Sequence, residues 1–289
     1  RPPPPYLEVR RKRSLCHGCS SVVVNPRTVL LKVSARASAL TSTSLAKFWI
    51  ELAMSFILLT GSSRGIGAAA YETLYSRGCS VIGHQTSPGD EDFIPADFRD
   101  PMAAQALWEA ALARSGGRID VLINNAGLFE ANRIERSDIE WLDAWEDTLR
   151  INLSAAAQLS RLAMRHWQDR GVGGRLVHVA SRAAYRGDSP AHWHYAAAKG
   201  GMIAMHKTIA RGFASQGILS FAITPGFTDT AMAGDYLETR GGPGLLADIP
   251  LGRVAEPEEI AKIIAFCALD APASMTGAVI AANGASFVR

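Results

Sequence analysis

The sequence predicts an α/β protein, a single domain built on a doubly wound parallel sheet with one crossover helix shortened. Three observations lead there. Short apolar runs alternate with segments of helical period from Phe56 to Ala281, and runs that short, without polar alternation, suit strands buried on both faces of a parallel sheet. A glycine-rich turn, Thr60-Gly61-Ser62-Ser63-Arg64-Gly65-Ile66-Gly67, stands between the first apolar run and the first helical one. Polar residues such as Asn125 and Ser181 recur where a strand gives way to the next element, the edge at which open α/β sheets bind ligands.

The domain is expected over residues 54–289, preceded by a non-domain extension at 1–53. That extension opens with Pro2-Pro3-Pro4-Pro5, passes the basic run Arg10-Arg11-Lys12-Arg13 and continues rich in Ser, Thr and Arg without sustained periodicity. Such composition fits a transit-like segment or translated non-coding sequence. Methionine is absent before Met54, and we expect the functional protein to start near there.

From Met54 the pattern is regular. Phe56 to Leu59 is a strand, and Ala68 to Arg77 is helical and closed by Gly78. Cys79 to Gly83 is a second strand, so the unit is βαβ-like. Only some eight residues separate His84 from Phe93, too few for a full crossover helix. A helix from Met102 to Arg114 precedes a strand from Ile119 to Ile123 that ends in Asn124-Asn125-Ala126-Gly127. Ser137 and Glu140 form a capping box that opens a helical region running through Asn152 to about Gln168. Leu176 to Ala180 is a strand with Ser181 at its end. The helix of Tyr195 and Lys199 follows, then a strand from Leu219 to Ile223, the turn Pro225-Gly226 and a glycine-rich loop to about Gly252. A helix opened by Pro257, with Glu258 and Glu259 in its first turn, and a last strand from Gly277 to Ala281 complete the order.

Composition excludes several classes. The 48% hydrophobic content supports a substantial core. The net charge of +3 is uneven: residues 1–53 hold nine of the 30 Lys/Arg and two of the 27 Asp/Glu, which leaves the body with 21 basic and 25 acidic side chains. A mildly acidic body offers no footprint for nucleic acid. Lys47 and Glu51 interrupt the best apolar run before it could span a membrane. Four cysteines make no disulfide framework in a chain of 289 residues, which fits a reducing, cytoplasmic setting. Cys16-His17-Gly18-Cys19 has the spacing of half a zinc site, but no second pair follows, so no metal is expected.

The chemistry lies in Ser181 to Lys199. Tyr195 and Lys199 are four residues apart, one turn along a helix on the same face. A nearby ammonium favours phenolate, so the lysine is expected to lower a phenol pKa of about 10 toward the working range of an acid or base. Gly61-Ser62-Ser63-Arg64-Gly65 also fits a G-x-S-x-G nucleophile elbow. That elbow would follow the first strand, and no histidine occurs after His206, against the order such hydrolases need. His192 and His194, flanking Trp193, lack a third ligand and are expected at the substrate rim or the surface. The loop from Phe227 to Leu246, with Met232, Tyr236, Leu237, Leu245 and Leu246, is long enough to act as a lid over a partly apolar substrate.

Taken together, Thr60-Gly-x3-Gly-x-Gly, Asn124-Asn125-Ala126-Gly127, Asn152, Ser181, Tyr195-x3-Lys199 and Pro225-Gly226 resemble the motifs of the short-chain dehydrogenase/reductase family, of the one-domain kind with a Rossmann-type fold, and most closely its 3-oxoacyl-carrier-protein reductases. The resemblance covers residues 54–289 and implies roles residue by residue. Tyr195 would exchange the proton with the substrate oxygen and Ser181 would hydrogen-bond that oxygen. Lys199 would bind the nicotinamide ribose and lower the tyrosine pKa, and Asn152 would position a water that relays protons to the lysine. Gly61, Ser63, Arg64, Gly65, Ile66 and Gly67 would hold the pyrophosphate, Asp97 the adenine, and Asn125, Ala126 and Gly127 the ribose and its surroundings. Pro225, Gly226 and Thr228 would lie by the nicotinamide. It also implies a small-molecule carbonyl or alcohol substrate and a homo-tetramer or dimer.

Charge bears on the cofactor. Residues Cys79 to Ser87 contain no Asp or Glu that would repel a ribose 2′-phosphate, and Arg64 could meet that phosphate. NADP(H) is therefore expected in preference to NAD(H), with NAD(H) left open. The chain departs from the family pattern in three places: a spacing of 14 from Ser181 to Tyr195, the shortened segment after His84, and Asn283-Gly284-Ala285 in place of Asp-Gly-Gly. A dinucleotide-binding sensor or scaffold of the same fold is the alternative to an enzyme.

Overall fold

The computed structural model describes residues 22–24, 29–31, 55–230 and 242–288, and the chain divides into two compact units, Arg1–Leu52 and Ala53–Arg289. Cys16 and Cys19 lie outside the described residues, as do residues 231–241 of the expected lid. In the first unit β1 (Val22–Val24) pairs antiparallel with β2 (Val29–Leu31). No element was expected there. The two runs are only three residues each, but the first is Val22-Val23-Val24 and the second opens on Val29, whose branched side chain favours extended backbone.

The second unit is organised by a seven-stranded sheet. Its strands are β3 (Phe56–Leu59), β4 (Ser80–Gln85), β5 (Phe93–Pro95), β6 (Val121–Asn124), β7 (Gly174–Val179), β8 (Ile218–Pro225) and β9 (Val279–Ala282). They lie in the order β5-β4-β3-β6-β7-β8-β9, and every neighbouring pair is parallel. The order reverses at β3, where the chain leaves for β4 on one side and returns with β6 on the other. A crevice forms at such a switch point, outside the carboxyl ends of the strands. β4 and β5 are joined without a helix, as the short spacing predicts.

The strands are apolar on both faces because both faces are covered. Leu58, Leu122 and Leu176 point into a core with Leu107, Trp108, Leu159 and Trp167 of α2 (Ala103–Arg114) and α4 (Ala155–Asp169). Their strand neighbours Ile57, Ile123 and Val177 point the other way, onto Leu74 of α1 (Gly65–Ser76) and onto Ile260 and Ile264 of α8 (Pro257–Ala265). Each fully buried side chain of this size contributes about 1.5–3 kcal/mol. Trp167 is the largest of them, and its Nε1–H donates to the Ile119 carbonyl at 2.7 Å.

Helix boundaries follow local chemistry. The Ser137–Glu140 capping box opens α3 (Asp138–Leu149), and Pro257 sits in the first turn of α8. The long helix expected through Asn152 is interrupted by a π-helical turn, Arg150–Ser154, before α4. After the short α5 (Ala183–Arg186), α6 (Trp193–Phe213) carries Tyr195 and Lys199. The loop expected to Gly252 contains a short helix, α7 (Gly242–Ala247), and Pro243 near its start suits a first helical turn. β8 runs past its expected end through Thr224 and Pro225, because β9 continues to pair with it there.

Candidate active site

The glycine turn and the β6 turn are tied together. Thr60 Oγ1 accepts from the amides of Asn125 and Ala126, each at 3.0 Å, and Asn125 Nδ2 donates to the carbonyls of Thr60 and Gly61, each at 3.0 Å. Gly61 has φ +65°, where an L side chain is strained, and a Cβ on it would stand 2.8 Å from Ala126 Cα. A Cβ on Gly67 would run into the Gly61 carbonyl. The turn therefore folds on itself more tightly than side chains permit. The N-cap Arg64 makes no side-chain cap bond, so no side chain of its own occupies the positive end of α1.

One turn into α6, Tyr195 and Lys199 converge. Lys199 is buried, with Nζ donating to the carbonyl of Val179 at 2.9 Å, the last residue of β7. Nζ lies 5.7 Å from the Tyr195 ring centroid. Tyr195 is hydrogen-bonded to Ser181, whose Oγ also accepts the Ala183 amide at 3.1 Å. The pKa values depart from the sequence expectation. Burial pushes the phenol up to about 12, against the lowering effect of the Ser181 hydrogen bond and with a smaller push from Asp188. Burial also brings Lys199 down to about 8. Desolvation of each charged form dominates both shifts, so at neutral pH the pair is a protonated phenol beside an ammonium.

Asn152 is fully buried in the π-turn. Its Oδ1 accepts from the Leu128 amide at 3.1 Å, while Nδ2 donates to the carbonyls of Leu128 and Thr148, each at 3.0 Å. Both amide hydrogens are committed to backbone, and the side chain clamps the β6 turn against the helix. Gly127 permits this approach, since a Cβ there would meet Asn152 Oδ1 at 2.8 Å and Lys199 Nζ at 3.5 Å.

A cavity of about 660 Å³ joins these parts, within the range of small-molecule sites. It is lined by Gly61, Ser63, Arg64, Gly65, Ile66, Gly67, Asp97, Asn125, Ala126, Gly127, Ser181, Tyr195, Lys199, Pro225, Gly226 and Thr228, so the sequence-predicted set comes together except for Asn152, which stands behind the wall. Asn124 faces the core instead, its Nδ2 donating to Ser160 Oγ at 3.1 Å. A second cavity of about 530 Å³, beside β9 and α8, holds none of this constellation.

Sequence reasoning missed part of the lining. Thr86 and Ser87, just after β4, line the cavity, as do His84, Phe129, Arg182 and Phe227. The absence of acid at the end of β4 was legible, but not which neutral side chains would face the cavity. His192 and His194 prove to be buried, not at the surface. His192 lies flat on Phe129, with centroids 4.0 Å apart and planes at 12°, and Phe129 meets Tyr195 edge-on at 4.9 Å. Aromatic stacking draws the first histidine inward and leaves Trp193 at the surface, 49% exposed. Among the described residues no group of His, Cys, Asp or Glu could hold a metal ion.

A glycine turn at a helix N-terminus, opening into the same cavity as a buried tyrosine and lysine, is what an oxidoreductase using a nicotinamide dinucleotide requires. The chain belongs to the short-chain dehydrogenase/reductase family and is an NAD(P)-dependent oxidoreductase acting between CH–OH and C=O. Residues 61–285 match the family model described as enoyl-(acyl carrier protein) reductase. The 3-oxoacyl-[acyl-carrier-protein] reductases of Salmonella typhimurium and Escherichia coli are 35% identical over 242 residues, covering 80% of this chain and 96% of theirs. The cis-4-hydroxycyclohexanecarboxylate dehydrogenase of Sinomonas cyclohexanicum is 32% identical over 243 residues, 78% of this chain and 94% of that one.

Proposed function

We propose that the protein is an NADP(H)-dependent reductase of a ketone to a secondary alcohol, with Tyr195 as the general acid. The observation that carries this reading is Tyr195 itself, hydrogen-bonded to Ser181 and one turn from buried Lys199 in the cavity that opens onto the glycine turn. A phenol with its pKa pushed up to about 12 stays protonated at neutral pH and is a ready donor to a developing alkoxide, whose basicity exceeds its own. Ser181 would hold the same oxygen, so that two donors face the forming charge. Run in reverse, the same pair would take the proton from an alcohol.

The glycine turn and the uncapped end of α1 fit a dinucleotide pyrophosphate, with Gly61, Ser63, Arg64, Gly65, Ile66 and Gly67 around it. Asp97 would face the adenine, and Asn125, Ala126, Gly127 and the Lys199 ammonium the ribose hydroxyls. Pro225, Gly226 and Thr228 would lie against the nicotinamide. The dinucleotide supplies the hydride. Asn152 acts from behind, holding Leu128 and the Gly127 turn close to Lys199. Preference for the 2′-phosphorylated cofactor is supported by exposed Arg64 at the turn and by the Thr86 and Ser87 hydroxyls, with no carboxylate in that stretch.

We also place the catalytic domain at 54–289, with residues 1–53 as an extension outside it. The free, buried thiols of Cys79 and Cys267 suit a reducing, cytoplasmic setting. The exposed Ile139 and Leu142 of α3, at 75% and 53%, support assembly as a homo-dimer or tetramer.

Turnover with NADPH and NADH against a panel of ketones, 3-oxoacyl thioesters and oxo-cycloalkanecarboxylates tests the reading, the last two being the carbonyl sides of the reactions that the relatives' names describe. Reduction of a panel member with NADPH favoured is expected. A clear NADH preference would overturn the cofactor assignment, and tight dinucleotide binding without turnover of any member would overturn the enzyme assignment.

A further inference from the structure

We propose that His84 is a positioning residue for the dinucleotide site, holding the pyrophosphate turn to the adenine-side segment in its neutral Nε2–H form. The inference rests on reading the cavity as a dinucleotide site. His84 is buried at the end of β4. Its Nδ1 lies 2.9 Å from the Gly61 amide, and its Nε2 lies 2.8 Å from the Ala96 carbonyl. A backbone amide can only donate and a carbonyl can only accept. Nδ1 must therefore be bare and Nε2 must carry the hydrogen, so one tautomer satisfies both partners.

The backbone of His84 is held just as firmly. Its amide donates to Ser62 Oγ at 2.7 Å, Ser62 Oγ donates back to its carbonyl at 3.0 Å, and the Ser62 amide reaches that carbonyl at 2.9 Å. The ring stacks on Phe98, centroids 4.6 Å apart. Through one imidazole, the glycine turn after β3 is thus tied to the Ala96–Asp97 segment after β5. These are the two sides between which the adenosine half of a dinucleotide would lie. β4 and β5 are joined here without a helix, so the bridge supplies rigidity that a crossover helix would otherwise give.

A second proton would break the bridge, because Nδ1–H would then face the Gly61 N–H. The groups around the ring are Gly61 and Ser62 from the turn, and Ala96, Asp97 and Phe98 from the far side. Of these only Asp97 is charged. Burial lowers the His84 pKa against the opposing effects of the Ala96 hydrogen bond and the Asp97 charge. Loss of the bridge is therefore expected only below the ordinary histidine range of about 6.5.

The test uses the full chain and reads cofactor affinity by NADPH fluorescence titration at about pH 8 and about pH 5.5, in wild type, His84→Asn and His84→Leu. Asn keeps a neutral acceptor near the Nδ1 position, whereas Leu removes both hydrogen bonds. The Leu variant is expected to bind about tenfold more weakly at the higher pH, the scale of one lost hydrogen bond with an unpaired partner, and Asn within about twofold of wild type. On acidification wild type is expected to lose affinity more steeply than Asn. The ligand's own phosphate, with a pKa near 6, titrates equally in both, so the difference belongs to His84. A folded Leu variant that binds like wild type, or equal acid dependence in wild type and Asn, would overturn the proposal. The Asn comparison decides alone if Leu does not fold. Failure of wild type to bind either dinucleotide would instead remove the reading of the cavity, and the proposal with it.

Discussion

His178 is a group through which acid should unfold this protein. His178 is fully buried in β7, its Nδ1 lying 3.3 Å from Asn124 Nδ2 and its ring 5.9 Å from that of His206. Burial, helped by the neighbouring His206 and Lys199, lowers its pKa from 6.5 to about 3. A group whose folded pKa is depressed contributes stability that is complete above the unfolded value of 6.5 and is lost as pH falls toward the folded value of about 3. At about pH 4.5, two units below the unfolded pKa, the loss is about 2.7 kcal/mol at 1.36 kcal/mol per unit. His178→Asn keeps an oxygen for Asn124 Nδ2 and removes the titration. Urea unfolding of both proteins at about pH 7.5 and about pH 4.5 gives the difference of differences. The variant will be less stable than wild type at the higher pH, since it leaves a small cavity. Its further loss on acidification should be smaller by about 2–3 kcal/mol, roughly 1 M in urea midpoint. His84, His194 and His206, also held neutral by burial, remain in both proteins and cancel. An equal acid loss in wild type and variant would refute the reasoning.

Two further outcomes follow from backbone geometry. Ala285 has φ +63°, the one positive φ outside glycine among the described residues. The left-handed conformation costs an L residue about 1–2 kcal/mol, and glycine's greater freedom when unfolded returns about 0.5–1 of it. Ala285→Gly should therefore stabilise by up to about 1 kcal/mol and raise Tm by about 2–4 °C in thermal unfolding, and a lower Tm would contradict the strain. Gly67→Ala should weaken dinucleotide binding at least about tenfold while the protein stays folded, because the added Cβ meets the Gly61 carbonyl and Asn125 Nδ2. Unchanged affinity would show that the turn is not the binding element.

The parallel sheet was legible because its signal is local. Apolar runs such as Phe56–Leu59 and capping chemistry such as Ser137 with Glu140 act over a few residues, and the missing helix between His84 and Phe93 was a matter of chain length. Tyr195 and Lys199 stood out by their spacing and Ser181 by the family resemblance, and the cavity gathers the three with the glycine turn. What could not be read depended on partners far apart in sequence. The bond between His84 and Gly61 spans 23 residues, and that between Asn124 and His178 spans 54. Nor could the spacing of Tyr195 and Lys199 reveal how much burial would raise the phenol pKa, because desolvation is a property of the packed protein. The two histidines around Trp193 show the same limit: polar letters in a loop suggested the surface, yet Phe129 stacks on the first of them.

The central claim is that the Tyr195 hydroxyl supplies the proton in carbonyl reduction. Tyr195→Phe removes that oxygen and leaves the ring, its edge contact with Phe129 and the Lys199 anchor on Val179 in place. Single-turnover reduction of the best ketone by NADPH, measured beside the NADPH dissociation constant, separates chemistry from binding. The account predicts a rate lower by at least about 10²–10⁴ with an affinity within about twofold of wild type. A rate close to wild type would contradict it.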